Sequence, residues 1–328
     1  MPRQLVRLSR LAVPLALVSL GLSAPAAAQS YPSDMIRIVT GGPVGSPPDI
    51  IIRIVANQLS ESEGWRIVVE NKVGGIASPA AGEVLKQPAD GYTVYVVGMT
   101  NTAFPTLNPN IGYRLDGDFA PVIKLMSAHH VLVVNPAVPA RTLQELVALL
   151  KSQPDKFNFS SGGFGTPAHL TGELFKLQTG ARVAHVPYQV VGQMIADLIN
   201  GTNHYQFITP LPVLDLIAVG KLRALAVTGP QRMPALKDVP TVVEAGFPAL
   251  VIQDWYGFVV KSGTPDAIVA RLNEAINNAL TKPSVRDAFA KIAAEPAGGS
   301  PAELGALIKS QIAHWGKVVK DAGIKVQK

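Results

Sequence analysis

Short β-branched runs alternate with amphipathic helical patterns from Ile36 to Val260, and that alternation leaves the chain few folds to choose from. Strands are expected at 36–40, 67–70, 93–97, 131–134, 157–160, 183–186, 205–209, 223–227 and 256–260. Between them lie helical patterns such as Leu143 to Lys151 and Gln193 to Asn200. Repeated βαβ units give an α/β protein, here with two mostly parallel sheets flanked by helices. From Thr264 onward the pattern turns to helices alone. Ile268, Leu272, Ile276 and Leu280 share one face, and Ser300-Pro301-Ala302-Glu303 is a capping box that opens a helix ending near Gly323.

Two cores need apolar material, and the composition supplies it. Of the 328 residues, 48% are hydrophobic and only 16% charged, against roughly 25% charged in ordinary soluble domains. There is no cysteine, which excludes a disulfide framework and a thiolate metal site. No Gly/Ser linker separates the halves, so the lobes are expected to be joined by crossing strands, with hinges near Lys124 to His130 and Val251 to Tyr256. Residues 29–127 and 255–328 would form a discontinuous first lobe that includes the C-terminal helices, and 128–254 the second.

Residues 1–28 read as an address. Arg3, Arg7 and Arg10 precede the apolar run Leu11 to Leu22, and small residues end at Ala26-Ala27-Ala28. That order is a secretory signal peptide, and the run is too short for the ~20 residues a bilayer span requires. Cleavage after Ala28 removes 28 residues and three arginines from a chain of 328 residues and charge +6, leaving 300 residues and +3. A soluble periplasmic protein is expected, expected also to be a monomer. Its weak, diffuse positive charge gives no case for nucleic-acid binding.

Two glycine loops carry the candidate chemistry. Gly41-Gly42-Pro43-Val44-Gly45-Ser46-Pro47-Pro48-Asp49 joins the first strand to a helix, with Ser46 and Asp49 at capping-box spacing. Ser160-Ser161-Gly162-Gly163-Phe164-Gly165-Thr166-Pro167 does the same in the second half, with Thr166 as the expected N-cap. Either loop can be a tight turn and nothing more. Equally, glycines that turn backbone N–H groups outward at a helix start make an anion cradle. Gly163-x-Gly165-x-x-Ala168 fits a dinucleotide fingerprint, but no acid follows before Asp197 to hold a ribose. His129 and His130 would point to opposite faces of a strand, no histidine pair has the i, i+4 spacing of a helical zinc site, and no Gly-x-Ser-x-Gly elbow occurs. No metal, cofactor or catalytic residue is therefore assigned.

Several collinear strings, among them YPSDMIRIVT (31–40), IVVENKVGG (67–75), QPADGYTV (87–94), FSSGGFGTPAHLTGELF (159–175), HVPYQ (185–189) and SGTPDAIVARLN (262–273), together span the mature chain. In them the chain resembles the Bug family of periplasmic solute-binding proteins, the extracytoplasmic receptors of tripartite tricarboxylate transporters. The resemblance implies a two-lobed periplasmic-binding-protein fold (Venus-flytrap, type II) with a ligand cleft between the lobes. It also implies a small organic carboxylate as ligand and integral-membrane permease subunits as partner. Carried over by position, the ligand-binding residues would be Gly42, Val44, Gly45 and Ser46 in the first loop and Thr100 and Asn101 in a third wall. Ser160, Ser161, Gly163, Phe164, Gly165 and Thr166 would follow in the second loop, with Tyr188, Ile208 and Thr209 beside them. Departures bear on specificity: prolines stiffen the first loop, Gln189-Val190 stands where Lys-Gly is common, and Phe207-Ile208-Thr209 stands where Phe-Asp-Asn is frequent. Loss of that acid points to a ligand without an amino group, its partly apolar body set near Phe164, Tyr188 and Ile208. Alternatives are a receptor that presents its ligand to a sensor kinase and a secreted enzyme acting on a carboxylate.

Overall fold

The computed structural model describes residues 31–74 and 78–324, and the expected signal peptide lies outside them. The chain runs β1 (Ile36–Thr40), α1 (Pro47–Glu63), β2 (Ile67–Asn71), α2 (Ser78–Lys86), β3 (Thr93–Gly98), α3 (Met99–Leu107) and β4 (Phe119–Ala128). It continues with β5 (Val131–Val134), α4 (Leu143–Ser152), β6 (Asn158–Ser161), α5 (Pro167–Thr179), β7 (Ala184–Pro187), α6 (Val191–Asn200), β8 (Tyr205–Ile208), α7 (Leu214–Ala218) and β9 (Arg223–Val227). It ends with β10 (Asp254–Lys261), α8 (Asp266–Leu280), α9 (Pro283–Lys291), β11 (Glu295–Gly298) and α10 (Pro301–Asp321). Two sheets result, ordered β11-β4-β10-β3-β1-β2 and β7-β6-β8-β5-β9.

Both sheets are mixed, which corrects the expectation of mostly parallel ones. β1 runs parallel to β2 and β3, and β6 parallel to β7 and β8. β10 is antiparallel to β3 and β4, and β5 to β8 and β9. The reason is the crossing. A strand that arrives from the other lobe enters its sheet at the end toward which the βα units point, so it must run against them. β5 and β10 are those arrivals.

Two strands escaped the pattern reading. β4 carries Pro121 and Ser127, which break its alternation, yet it spans ten residues and lies between β10 and β11. Pro121 precedes the stretch Lys124–Ser127 that β11 pairs, so its missing donor falls where that edge has no partner. β11 reads Glu-Pro-Ala-Gly and forms an edge strand, where pairing on one side suffices. It interrupts the expected all-helical ending.

Helix boundaries follow local chemistry more faithfully. Ser300 and Glu303 form the capping box of α10, and Thr166 caps α5 through its hydroxyl. One core cluster gathers Tyr95, Met99 and Phe104 of the first lobe with Phe159, Phe175 and Phe207 of the second, so apolar packing ties the lobes together along α3, α5 and α10. A second cluster fills the space between the first sheet and α1, α8 and α9, and a third lies under α6 and α7.

Candidate functional site

The parallel strands of each sheet end at the same side. β1 and β3 deliver Thr40 and Gly98 there, β6 delivers Ser161 and β8 Ile208, and the crossing segments after Ala128 and before Asp254 join the two rims. In open α/β sheets ligands bind in such a crevice beyond the carboxyl ends of the strands.

In the first lobe, β1 turns into α1 through Gly45, whose φ of 78° is the left-handed conformation glycine permits. The expected capping box is not formed. Ser46 donates its hydroxyl to the Pro43 carbonyl at 2.6 Å, and Asp49 accepts the Gly45 N–H at 2.9 Å. Pro47 and Pro48 take the first two helical positions, so the carboxylate reaches past them to the loop. Asp49 is buried and also meets Arg53 Nε at 3.0 Å and Asn71 Nδ2 at 2.9 Å, while Asn71 holds the Gly42 carbonyl at 2.8 Å. Burial works to raise this carboxyl, but hydrogen bonds from Arg53, Gly45 and Asn71 outweigh it and hold it below the usual carboxylate range. The Gly42 amide goes to Thr40 Oγ1 at 3.1 Å. Val44, three-quarters exposed, has an amide with no partner among the described residues.

In the second lobe the amides are held by neutral groups. Gly165, φ 76°, donates to His169 Nδ1 at 3.1 Å, and Gly163 donates to Ser161 Oγ at 3.1 Å. Ser161 Oγ also lies 2.7 Å from His185 Nε2, and Thr166 donates to the Gly163 carbonyl at 2.7 Å. The His169 and His185 rings are 4.2 Å apart between centroids, and Phe164 sets its edge against both. Burial first, then the charges of His185 and Lys176, push the His169 imidazole down to about 3. Burial and Lys176 push His185 to about 4. Both rings are neutral at neutral pH, and His169 keeps the Nδ1 lone pair that the Gly165 amide requires.

The expected contacts therefore divide. Gly45, Gly163 and Gly165 do shape the loops, but their own amides are satisfied by Asp49, Ser161 and His169. Among the described residues the Phe164 amide is unpaired, like that of Val44. Asn101 is spent on structure, its Oδ1 accepting the Gly98 N–H and its Nδ2 meeting Tyr95 Oη, whereas the Thr100 hydroxyl has no partner among the described residues. Among the described residues the Ser160 hydroxyl donates to Gln206 Oε1, at 3.4 Å. Tyr188 donates its hydroxyl to Asp197 and receives Asn203. Ile208 is buried in the core of the second lobe at the end of β8, followed by half-buried Thr209. The lobes touch here: a Cβ on Gly165 would stand 3.1 Å from Leu107 Cδ1 and 3.5 Å from Phe104 Cε1 of α3. Cavities of about 360 and 340 Å³ lie elsewhere, beside Leu222 and Arg223 at the start of β9 and beside Arg53 and Val68 at β2.

A family model described as the tripartite tricarboxylate transporter family receptor matches residues 51–324. The chain belongs to this receptor family. Among relatives of the receptor, protein BugT of Bordetella pertussis is 33% identical over 312 residues, which cover 94% of this chain and 95% of BugT. Two solved structures share its architecture. R. palustris Rpa4515 with adipate is 33% identical with a TM-score of 0.80, covering 90% of the receptor and 99% of that chain. MatC from Rhodopseudomonas palustris with bound malate is 28% identical with a TM-score of 0.77, covering 88% and 100%. The receptor thus has the two-lobed periplasmic-binding-protein fold, and its family is one of solute-binding receptors of the periplasm. No helix among the described residues is long and apolar enough to cross a membrane.

Pattern reading overlooked three side chains at this rim. His169 sits four residues after the amide it accepts, a local signal that was available. The Asp49 clasp needed Asn71 from the next strand. Asp254 is a buried acid at the first position of β10, an anomaly legible only once the strand is extended two residues beyond the expected start.

Proposed function

We propose that the receptor captures, in the cleft between its lobes, a small carboxylate that lacks an amino group and has a partly apolar body, and hands it to the integral-membrane subunits of a tripartite tricarboxylate transporter. The first lobe is assigned residues 29–127 and 255–328, the second 128–254. One observation carries the ligand class. Strand-to-helix turns from both lobes reach the same rim, each with an amide that has no partner among the described residues, Val44 in one and Phe164 in the other, and the Thr100 hydroxyl at the end of β3 has none among them either. Backbone donors at helix starts favour anions. Exposed Val44, Val190 and Leu211, all in segments that leave strand ends, supply apolar surface at the mouth. Adipate and malate are bound by related proteins.

Thermal unfolding with added ligand tests this. Adipate or malate should raise the melting temperature, corresponding to about 2.7 kcal/mol at a hundredfold excess over Kd, while aspartate and glutamate should leave it unchanged. Stabilisation by the amino acids and not by the plain dicarboxylates refutes the proposal.

A further inference from the structure

Asp254 opens β10 where the chain returns from the second lobe, and it pairs with Ala128, the last residue of β4. It therefore stands where both crossing strands leave the first sheet. Alternation puts its side chain on the same face of β10 as Tyr256. The Tyr256 ring presses on Gly98, where a Cβ would lie 2.8 Å from it, and Gly98 is the residue from which α3 and Thr100 begin. The carboxyl is thus at the end of the sheet where β3 passes into α3, on the face that Tyr256 shares with α1 and α8.

Its hydrogen bonding is incomplete. Asp254 is 5% exposed, and Oδ1 accepts the Trp255 N–H at 2.9 Å. Oδ2 has no partner among the described residues, and unlike His130 Nδ1 or Trp255 Nε1 it is not sealed in the interior. The titratable groups around it are occupied elsewhere. Lys124 of β4 is tied to Gln253 Oε1, His129 to the Ile252 carbonyl, and His130 of the crossing segment is buried and neutral. Tyr256, on its own strand, is the neighbour whose ionisation it opposes. No titratable side chain lies on α3, and on α1 the nearest clasp, Asp49 with Arg53, is closed on itself. A carboxyl so buried, with no cation paired to it among the described residues, gives up its proton late: burial raises it to about 7, the Trp255 amide pulls it back only in part, and below neutrality it is mostly the neutral acid.

We propose that Asp254 is a specificity-determining group of the cleft, a neutral carboxylic acid that donates from Oδ2 to an anionic oxygen of the bound carboxylate. This rests on the carboxylate reading above and adds to it how the site rejects an ammonium: Asp49 is closed on Arg53, Asn71 and the Gly45 amide, and Asp254 is spent as a donor. An anionic guest keeps the proton on Asp254, so above neutrality binding must take up a proton from solvent.

Calorimetric titration of the full chain with adipate from pH 5.5 to 8.5 tests the proposal, with 6-aminohexanoate as a probe of equal length bearing one ammonium. In the wild type, adipate affinity should fall toward tenfold per pH unit above about 7, with uptake approaching one proton when buffers of different ionisation enthalpy are compared. Asp254→Asn keeps an N–H donor and should bind adipate with no pH dependence and no proton uptake. Proton uptake by the wild type needs no variant, so a variant that fails to fold does not blunt the test. Adipate binding that is flat with pH in the wild type overturns the proposal, as does 6-aminohexanoate binding that strengthens as pH rises through 7. If neither adipate nor malate binds at pH 5.5, the carboxylate reading itself falls and this inference with it, whereas pH-independent adipate binding removes only the inference.

Discussion

In the first lobe the Gly45 amide is held by the ionised carboxylate of Asp49, and in the second the Gly165 amide is held by the uncharged ring nitrogen of His169. The two turns share one sequence plan, strand, glycines, proline, helix. Their clasps nonetheless answer to pH in different ranges. Asp49 has a lowered carboxyl, so what it contributes is present above the ordinary carboxylate range and is lost only as pH falls below about 4. The second clasp depends on imidazoles held far below 6.5. The unfolded chain binds those protons first, so stability is lost from about pH 6.5 downward. Similar loops therefore differ in the chemistry that fixes them, and a window between pH 4 and 6.5 separates them.

The largest effect expected within that window comes from the buried histidines. Lowering pH from 7 to 5 should cost on the order of 2 kcal/mol for each of His130 and His169. Asp254 masks part of this, because its raised carboxyl favours the folded state as pH falls toward the unfolded value near 4. Urea unfolding of Asp254→Asn at the two pH values should therefore lose more stability than the wild type does, with hydrogen exchange rising at 160–166 before 42–46. Equal exchange in both loops at pH 5 would erase the distinction between the clasps.

Asp49→Ala sharpens the comparison from the other side. It strands the Gly45 amide, Asn71 and Arg53, and since Arg53 is half-exposed the loss should be about 2 kcal/mol. Denaturant midpoints should show the same loss at pH 5.5 and pH 8. Gly165→Ala should cost about 2 kcal/mol and Gly45→Ala about 1 kcal/mol, because both have positive φ but only Gly165 faces a neighbour, Leu107. The smallest contrast lies at the helix caps. Thr166→Ala removes a cap that accepts the His169 N–H and should cost about 1 kcal/mol, while Ser46→Ala removes a hydroxyl that caps nothing and should cost under about 0.5 kcal/mol. Equal melting temperatures for the last pair would show that both helix starts are built alike after all.

Much of this molecule is local and was legible as such. The helix starts at Thr166 and Ser300 depend on residues three positions apart, and the strands β1, β3 and β5 are β-branched runs whose burial needs only a sheet to join. Collinear motifs identified the receptor family and the two-lobed fold. The Ser46 cap failed for a reason outside its own turn: Asn71 and Arg53 draw Asp49 toward the loop amide of Gly45. Position in the family pattern puts Tyr188 near the ligand, and only the fold shows that Asp197 and Asn203, from the next helix and the turn after it, hold its hydroxyl.

By itself the amino-acid order determined most βα boundaries and which loops carry glycine, because these follow from patterns a few residues long, and the family resemblance along the whole chain implied the two lobes. Only the tertiary structure decided that Glu-Pro-Ala-Gly at 295–298 is a strand, that Gly165 leans on Leu107, and that Asp254 is buried without a cation. Edge pairing, contact between lobes and desolvation depend on segments far apart in the chain, more than a hundred residues apart for β11 and β10 against β4, and that meeting fixes the protonation state of a side chain.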